Sequence, residues 1–574
     1  MKHTLFYLCI LLLAFIFTLP WHQGLPLGDD YIGAAYQFLK GNWDIYNNYY
    51  ANRIGSFLPY AIGISLLGIS EWLNYITTGI YIGLLVMVYL VLKKTDKKVA
   101  LVATTLLSVS TVMHQNAVVV SSDMTTALTT NALVLIYYYF RFHAKLSKEK
   151  ETQWGIITAV TFFTALLVKT SVVFYLPVLA WFFFKDYQSG LRNYYWEIFA
   201  MGSVFLGLIL LVAYWIKTGD AFFRVSQTKL LLSANEYNYA SSDWKTIINR
   251  LTWQPFRFLL ENYSFGTLLL LSSLQIFSIS KSSSDEQKFF KVLQIGTLGM
   301  WWFGSQGLTN YNPVALTHRL WLPLLVPMAI NSAFFICRVI KGVFSQKTFK
   351  YIFFISVSFT ALSAISLYST YQSFSQIGIP HPRVLIIFVW YILYASITIL
   401  SLYANQFFLK KPFHYLQNIQ KIFFLLIIIP FLFANTYYLI QMGKNKFNGV
   451  KNNFESEKEI FLYTLNLRPD RIITDYNLYC FYYVYTLDLN NKLPVVDYNN
   501  VNPDSLLIGD YMLLSKIRQY VFEKNLTQPL TYTKGNFTIP TFVRQPQDYC
   551  FELIKENKSN KLYRFNGGEK CYEP

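Results

Sequence analysis

The chain has 574 residues, 54% of them hydrophobic and 18% aromatic but only 14% charged, well below the roughly 25% charged share of an ordinary soluble domain. Such a composition excludes a soluble globular enzyme and describes a polytopic membrane protein. The formal net charge of +18 does not point to nucleic acid, because the basic residues fall mostly in short loops between apolar runs, where they act as topology signals and contacts to anionic membrane lipids.

The first apolar run, LFYLCILLLAFIFTLP, follows Lys2 and is not trailed by a small-x-small cleavage site. It therefore reads as a retained first crossing with a cytoplasmic N-terminus rather than a cleaved signal peptide. Residues 21–68 form a first outer loop that carries the adjacent carboxylates Asp29 and Asp30. An ionised pair beside a membrane is retained at a desolvation cost unless it faces water, a partner or a substrate. Ser56 to Gly68, punctuated by Pro59, Gly63 and Gly68, predicts an interfacial or re-entrant helix, and Glu71 to Leu92 a crossing back to the basic loop of Lys93, Lys94, Lys97 and Lys98.

Crossings are predicted near Val99–Met113 and Met124–Phe140, flanking the short outer loop HQNAVVVSSD. A hairpin follows that turns at Lys169, between Trp154–Val168 and Val172–Phe184. Ile198–Ile216 leads out to a long mixed segment, 217–262, expected to hold amphipathic helices lying on the membrane. Runs near Tyr263–Ile279, Val292–Phe303, Leu320–Cys337, Tyr351–Tyr368, Val384–Tyr403 and Ile422–Met442 complete about thirteen crossings. The hydropathy collapses after residue 442, so residues 1–442 are expected to form the membrane domain and 443–574 a small extracytoplasmic α/β domain. RIITDYN, LPVVDYN and DSLLIGDYMLL read as strands and YMLLSKIRQYVFEK as helical. Cys9 and Cys337 lie in or beside apolar runs and no C-x-x-C pair exists, which leaves Cys550 and Cys571 as a possible disulfide or as two free thiols.

With this alternation the ionisable groups at the outer ends of crossings share one side: Asp29, Asp30, Arg53, His114, Asp123, Lys169, His318, Arg319, His381 and Arg383. Each has a plainer reading. Asp123 could cap a helix, and Lys169 could snorkel to the interface. Two carboxylates among several cations nevertheless suit chemistry on a lipid-linked phosphate, with Lys and Arg holding the phosphate and a carboxylate taking the proton of an attacking hydroxyl. No P-loop, G-x-G-x-x-G, H-E-x-x-H or G-x-S-x-G is present, so ATP hydrolysis, zinc proteolysis and serine hydrolysis have no support.

Five segments together resemble the GT-C integral-membrane glycosyltransferases, in the branch of protein mannosyltransferases and lipid A aminoarabinose transferases. They are GDDYIGAAYQFLKGNWDIY, RIGSFLPYAIGISLLGISEW, SSDMTTALTTNALVLIYYYF, LLVKTSVVFYLPVLAWFFF and THRLWLPLLVPMAI. The resemblance implies an inverting transfer of a sugar from a polyprenyl-phosphate donor to a lipid, polysaccharide or protein acceptor outside a bacterial cytoplasmic membrane. Asp29 is the better match for the base, and Asp30 stands where Glu is more usual. Lys169 and Arg319, with His318 beside them, would hold the donor phosphate, Asp123 would orient acceptor or loop, and Arg53 would brace the first loop. A divalent metal is compatible with this branch but not required by it. A transporter or flippase is the alternative, for which charges near the bilayer midplane and paired broken helices would be expected. A binding scaffold built on the outer domain is a third class.

Overall fold

In the computed structural model the described residues are 2–22, 29–41, 49–68, 71–144, 147–227, 243–260, 262–278, 283–306, 311–340, 459–474, 495–498, 501–515, 546–557 and 560–567, with scattered positions besides. The predicted crossings at 384–403 and 422–442, with His381 and Arg383, lie outside them, while residues 357–365 of the predicted run at 351–368 are described and helical.

The helical part opens with α1 (Lys2–His22), followed by α2 (Asp29–Leu39) and α3 (Ile54–Leu67). Helix α3 carries Pro59 and ends where Gly68 turns left-handed at φ 67°, a conformation that glycine adopts without a Cβ clash. Helices α2 and α3 pack on each other around Tyr31, Ile32, Ala35, Phe57 and Tyr60.

Four helices follow: α4 (Asn74–Leu92), α5 (Lys97–Ser108), α6 (Thr111–Ala117) and α7 (Ser122–His143). The predicted crossing at 99–113 is thus two helices. The break has a local cause: Ser110 accepts a hydrogen bond from the Met113 amide and caps a new helix, while Ser264 Oγ takes the Thr111 amide at 3.1 Å. Helix α6 occupies much of the stretch expected to be a loop, and meets α7 at a bend of 118°.

Next come α8 (Lys148–Val168), a 3-10 turn at Thr170–Tyr175, α9 (Leu176–Gln188) and α10 (Asn193–Thr218). Ser147 caps α8, whose first turn carries Glu149 and Glu151, both favourable at a helix N-terminus. Among the described residues the long mixed segment is helical at 223–227 and contains α11 (Trp244–Thr252) and α12 (Gln254–Leu260). Then come α13 (Tyr263–Ser278), α14 (Asp285–Phe303), a 3-10 turn at His318–Leu324 and α15 (Leu325–Ile340). Among the described residues four helical stretches are long and apolar enough to cross a membrane, or five if α6 and α7 count as one bent span. The main core runs through α4, α5, α7, α9, α13, α14 and α15, with α8 and α10 paired at its edge.

The C-terminal part contains a five-stranded mixed sheet ordered β2-β1-β3-β5-β4. Its strands are β1 (Ile472–Thr474), β2 (Val495–Asp497), β3 (Tyr511–Ser515), β4 (Phe551–Glu556) and β5 (Asn560–Phe565). Strand β1 lies parallel to both β2 and β3, and β5 runs antiparallel to β3 and β4. Both faces of β1 are covered, Ile472 by Ile460 and Phe461 and Ile473 by Met512 and Tyr563, as parallel strands require. The YMLL stretch, read both as the end of the strand DSLLIGDYMLL and as the start of a helix, is a strand: its alternating Tyr511, Leu513 and Met512, Leu514 serve two opposite cores. Cys550 is disulfide-bonded. Cys9 and Cys337 are free, and the expected partner Cys571 lies outside the described residues.

Candidate active site

Helix α7 begins at Ser122, and its N-cap is Ser121, whose side chain accepts from the Asp123 amide at 3.3 Å. Because Ser121 does the capping, the Asp123 carboxylate is left for other partners. Lys169 supplies one. It is the first residue past α8, extended at φ −157°, and its ammonium donates to Asp123 Oδ1 at 2.7 Å. On the other oxygen, Arg319 Nε stands 3.9 Å from Oδ2.

These contacts differ in strength. The Lys169 and Asp123 side chains are 15% and 5% exposed, while that of Arg319 is 60% exposed. An exposed pair at such a distance is worth about 1 kcal/mol or less, whereas breaking a buried pair costs about 3–5 kcal/mol. Lys169 and Asp123 are thus the fixed members, and Arg319 is the cation that can move to a ligand.

Lys169 sits below the ordinary lysine value of 10.5. Burial is the largest cause, with Arg53 and Arg319 repelling its charge, and the Asp123 carboxylate opposes both effects.

The segment holding α2 and α3 closes the back of this cluster. Arg53 donates to the Tyr31 hydroxyl at 2.8 Å and to Ser122 Oγ at 3.4 Å, joining α2 to the start of α7. Two residues on, α3 is pressed against the end of α8. A Cβ on Gly55 would lie 2.8 Å from Val168 Cγ2 and 2.9 Å from the Val168 amide nitrogen. Ser56 Oγ donates to the Val168 carbonyl at 3.1 Å, satisfying a helix-end acceptor that has no partner within the helix.

A small cleft, partly open to solvent, adjoins the charges; its lining includes Asp123, Lys169, Arg319, Trp301, Gln306 and Val314. Thr126, one turn along α7 from Asp123, and Ser171, two residues after Lys169, also face it. Sequence reading missed these. The spacing of Thr126 and Ser171 carried a usable signal, whereas nothing in WWFGSQG marked Trp301 or Gln306.

Of the residues expected at the site, Arg53, Asp123, Lys169 and Arg319 come together. His318 does not join them: its ring stacks on Phe258 at 4.8 Å and on Phe265 at 6.1 Å. Neighbours in a 3-10 turn point in different directions, so Arg319 and His318 serve different surroundings. His114 is fully buried in the bundle, its Nε2 2.6 Å from the Ser108 carbonyl and its ring edge-on to Tyr81, as a core histidine. Asp29 and Asp30 form the start of α2; their side chains lie outside the described residues.

The arrangement gathers three cationic side chains around one carboxylate at the mouth of a cleft. That surplus of positive charge suits an anion with several acceptor oxygens, phosphate above all.

No family model matches the chain, and no curated protein does. Among solved structures it is similar to ArnT from Cupriavidus metallidurans bound to undecaprenyl phosphate, at 10% identity and a TM-score of 0.55, covering 100% of this chain and 99% of that one. The apo state of the same ArnT matches at 11% identity and a TM-score of 0.52, covering 99% of each chain. ArnT is a GT-C lipid A aminoarabinose transferase. At such identities the likeness is one of fold alone: the chain shares the fold of that ArnT structure.

Proposed function

We propose that this protein is a glycosyltransferase that takes a sugar from a polyprenyl-phosphate donor and passes it to an acceptor on the extracytoplasmic side of the membrane. The observation that carries the reading is the Asp123, Lys169 and Arg319 cleft, backed by Arg53, in a chain that shares the ArnT fold over its whole length. Undecaprenyl phosphate is the ligand of that ArnT structure, and a phosphate bearing a polyprenyl chain is the anion a membrane protein with this cleft would meet.

The chemistry follows from charge. The donor's phosphodiester carries a single negative charge. An acceptor hydroxyl attacks the anomeric carbon, the bond from that carbon to the phosphate oxygen breaks, and the phosphate leaves as a monoester that gains a second charge. Cations beside it are therefore worth more in the transition state than in the ground state, which is the condition for raising kcat. Lys169, held in place by Asp123, and the freer Arg319 fill this role.

The hydroxyl proton goes to a carboxylate at the start of α2, on Asp29 or Asp30. The reading also divides the chain near residue 442 into a membrane domain with a cytoplasmic N-terminus and an extracytoplasmic C-terminal domain, in a bacterial membrane. Whether a lipid, a polysaccharide or a protein accepts the sugar is left to the test.

Purified protein in nanodiscs, given polyprenyl-phosphate sugars from host membranes, is expected to release polyprenyl phosphate and form a glycosylated product. Adjacent helix positions do not share a face, so one of Asp29→Asn and Asp30→Asn is expected to lose about 10²- to 10⁴-fold in rate while the other keeps most of it. Unchanged turnover in both would remove the proposed base.

A further inference from the structure

The geometry points to Arg250, in the long segment between α10 and α13, as a positioning residue that holds one wall of the donor cleft in shape. Arg250 is 1% exposed although it sits on α11, whose Trp244 and Ile248 are exposed. A buried guanidinium is retained only where its donors are well used. Its Nη1 donates to the Trp302 carbonyl at 3.0 Å and its Nη2 to the Val314 carbonyl at 2.9 Å.

Between those two carbonyls the described residues 303–306 and 311–313 run side by side and form the base of a loop. Gln306 donates its amide to the Asn312 carbonyl at 2.8 Å, and Ser305 bridges to Pro313. Trp301, Gln306 and Val314, all from the loop or its stem, line the cleft. Arg250 therefore clamps the base of the loop from outside the cleft, and it does not touch the ligand space itself. Trp302 returns the contact, its indole donating to the Leu251 carbonyl at 2.7 Å. The planar fork of arginine reaches two carbonyls on separate strands of chain at once; a lysine ammonium in its place reaches only one well.

This assignment rests on the proposed donor site, and two readouts separate the two claims. Full-length Arg250→Met and Arg250→Lys proteins in nanodiscs are compared with wild type by hydrogen exchange and by donor kinetics. The expected result for Arg250→Met is exchange in 303–314 faster by tenfold or more, with α8 and α10 unchanged, and a donor KM raised tenfold or more with kcat within threefold. Arg250→Lys is expected to fall between it and wild type. If Arg250→Met does not fold, Arg250→Lys carries the comparison alone, and wild-type exchange and KM in it would overturn the clamp. Unchanged exchange in Arg250→Met overturns the clamp; faster exchange with unchanged donor KM, or a loss confined to kcat, overturns its role at the cleft. Wild-type protein that transfers no sugar and binds no undecaprenyl phosphate sinks the donor-site reading, whatever the exchange shows.

Discussion

Lys169 is pulled in two directions. Burial and the nearby Arg53 and Arg319 disfavour its charge, Asp123 favours it, and the balance leaves it below the ordinary lysine value. A lysine that is lowered on folding binds fewer protons folded than unfolded in the window between the two values, so the protein gains stability as pH rises through that window. Binding an anion has the opposite sign, because it needs the ammonium. Affinity for undecaprenyl phosphate is thus expected to fall as pH rises through a value below 10.5, the ordinary lysine value. In Lys169→Arg the fall should vanish, since guanidinium does not titrate in that range; a lipid-binding titration across alkaline pH reads both. Arg53, Asp123, Lys169 and Arg319 were legible in the sequence because charges at the expected outer ends of crossings are few. His318 and His114 looked equivalent to them by position, but a linear string does not say which way a side chain turns, and aromatic packing claimed both.

At the scale of elements, the close approach of α3 to α8 sets where the acidic helix stands relative to Lys169. Gly55→Ala would push its new methyl against Val168 backbone, an overpacking of about 1–3 kcal/mol. The nearest escape is to move α3 away from Lys169, so the donor KM is expected to rise roughly tenfold. Gly155→Ala makes a similar clash at the other end of α8, its Cβ 2.9 Å from the Tyr195 carbonyl; it is expected to lower thermal stability and leave the donor KM alone. Equal effects on KM would contradict the positional argument.

A second buried charge cluster is a structural staple by the same logic. Asp186 on α9 is fully buried, accepts from the Tyr137 hydroxyl at 2.5 Å and the Trp196 indole at 3.1 Å, and pairs with Arg141 at 2.9 Å and Arg192 at 3.4 Å. Asp186→Asn strands two guanidinium groups and is expected to cost about 3–5 kcal/mol, read as a fall in unfolding temperature without a shift in donor KM. Among the described residues most of the apolar runs are helical. Breaks were harder: the split at Val109 and Ser110 comes from a serine cap and a contact with Ser264 that is distant in sequence.

For the whole molecule, the GT-C resemblance read from five short segments holds at the level of fold over the full chain. At 10% identity little residue-by-residue likeness remains, since lipid-facing positions accept almost any apolar residue. The parallel strands of the sheet were legible at 472–474 and 495–497 because their short Ile and Val runs are bounded by polar turns. The β4–β5 hairpin was not anticipated, because β4 presents Glu552, Leu553 and Ile554 in succession to solvent and shows no clean alternation. The affinity of wild-type protein and Arg319→Ala for undecaprenyl phosphate in nanodiscs tests the central claim most directly. Arg319 is largely exposed, so its loss should leave the fold intact while removing a charged hydrogen bond worth about 1.5–3 kcal/mol. The expected result is measurable binding by wild type and a dissociation constant raised roughly 10- to 100-fold in the variant; no binding by wild type, or equal binding by both, would contradict it.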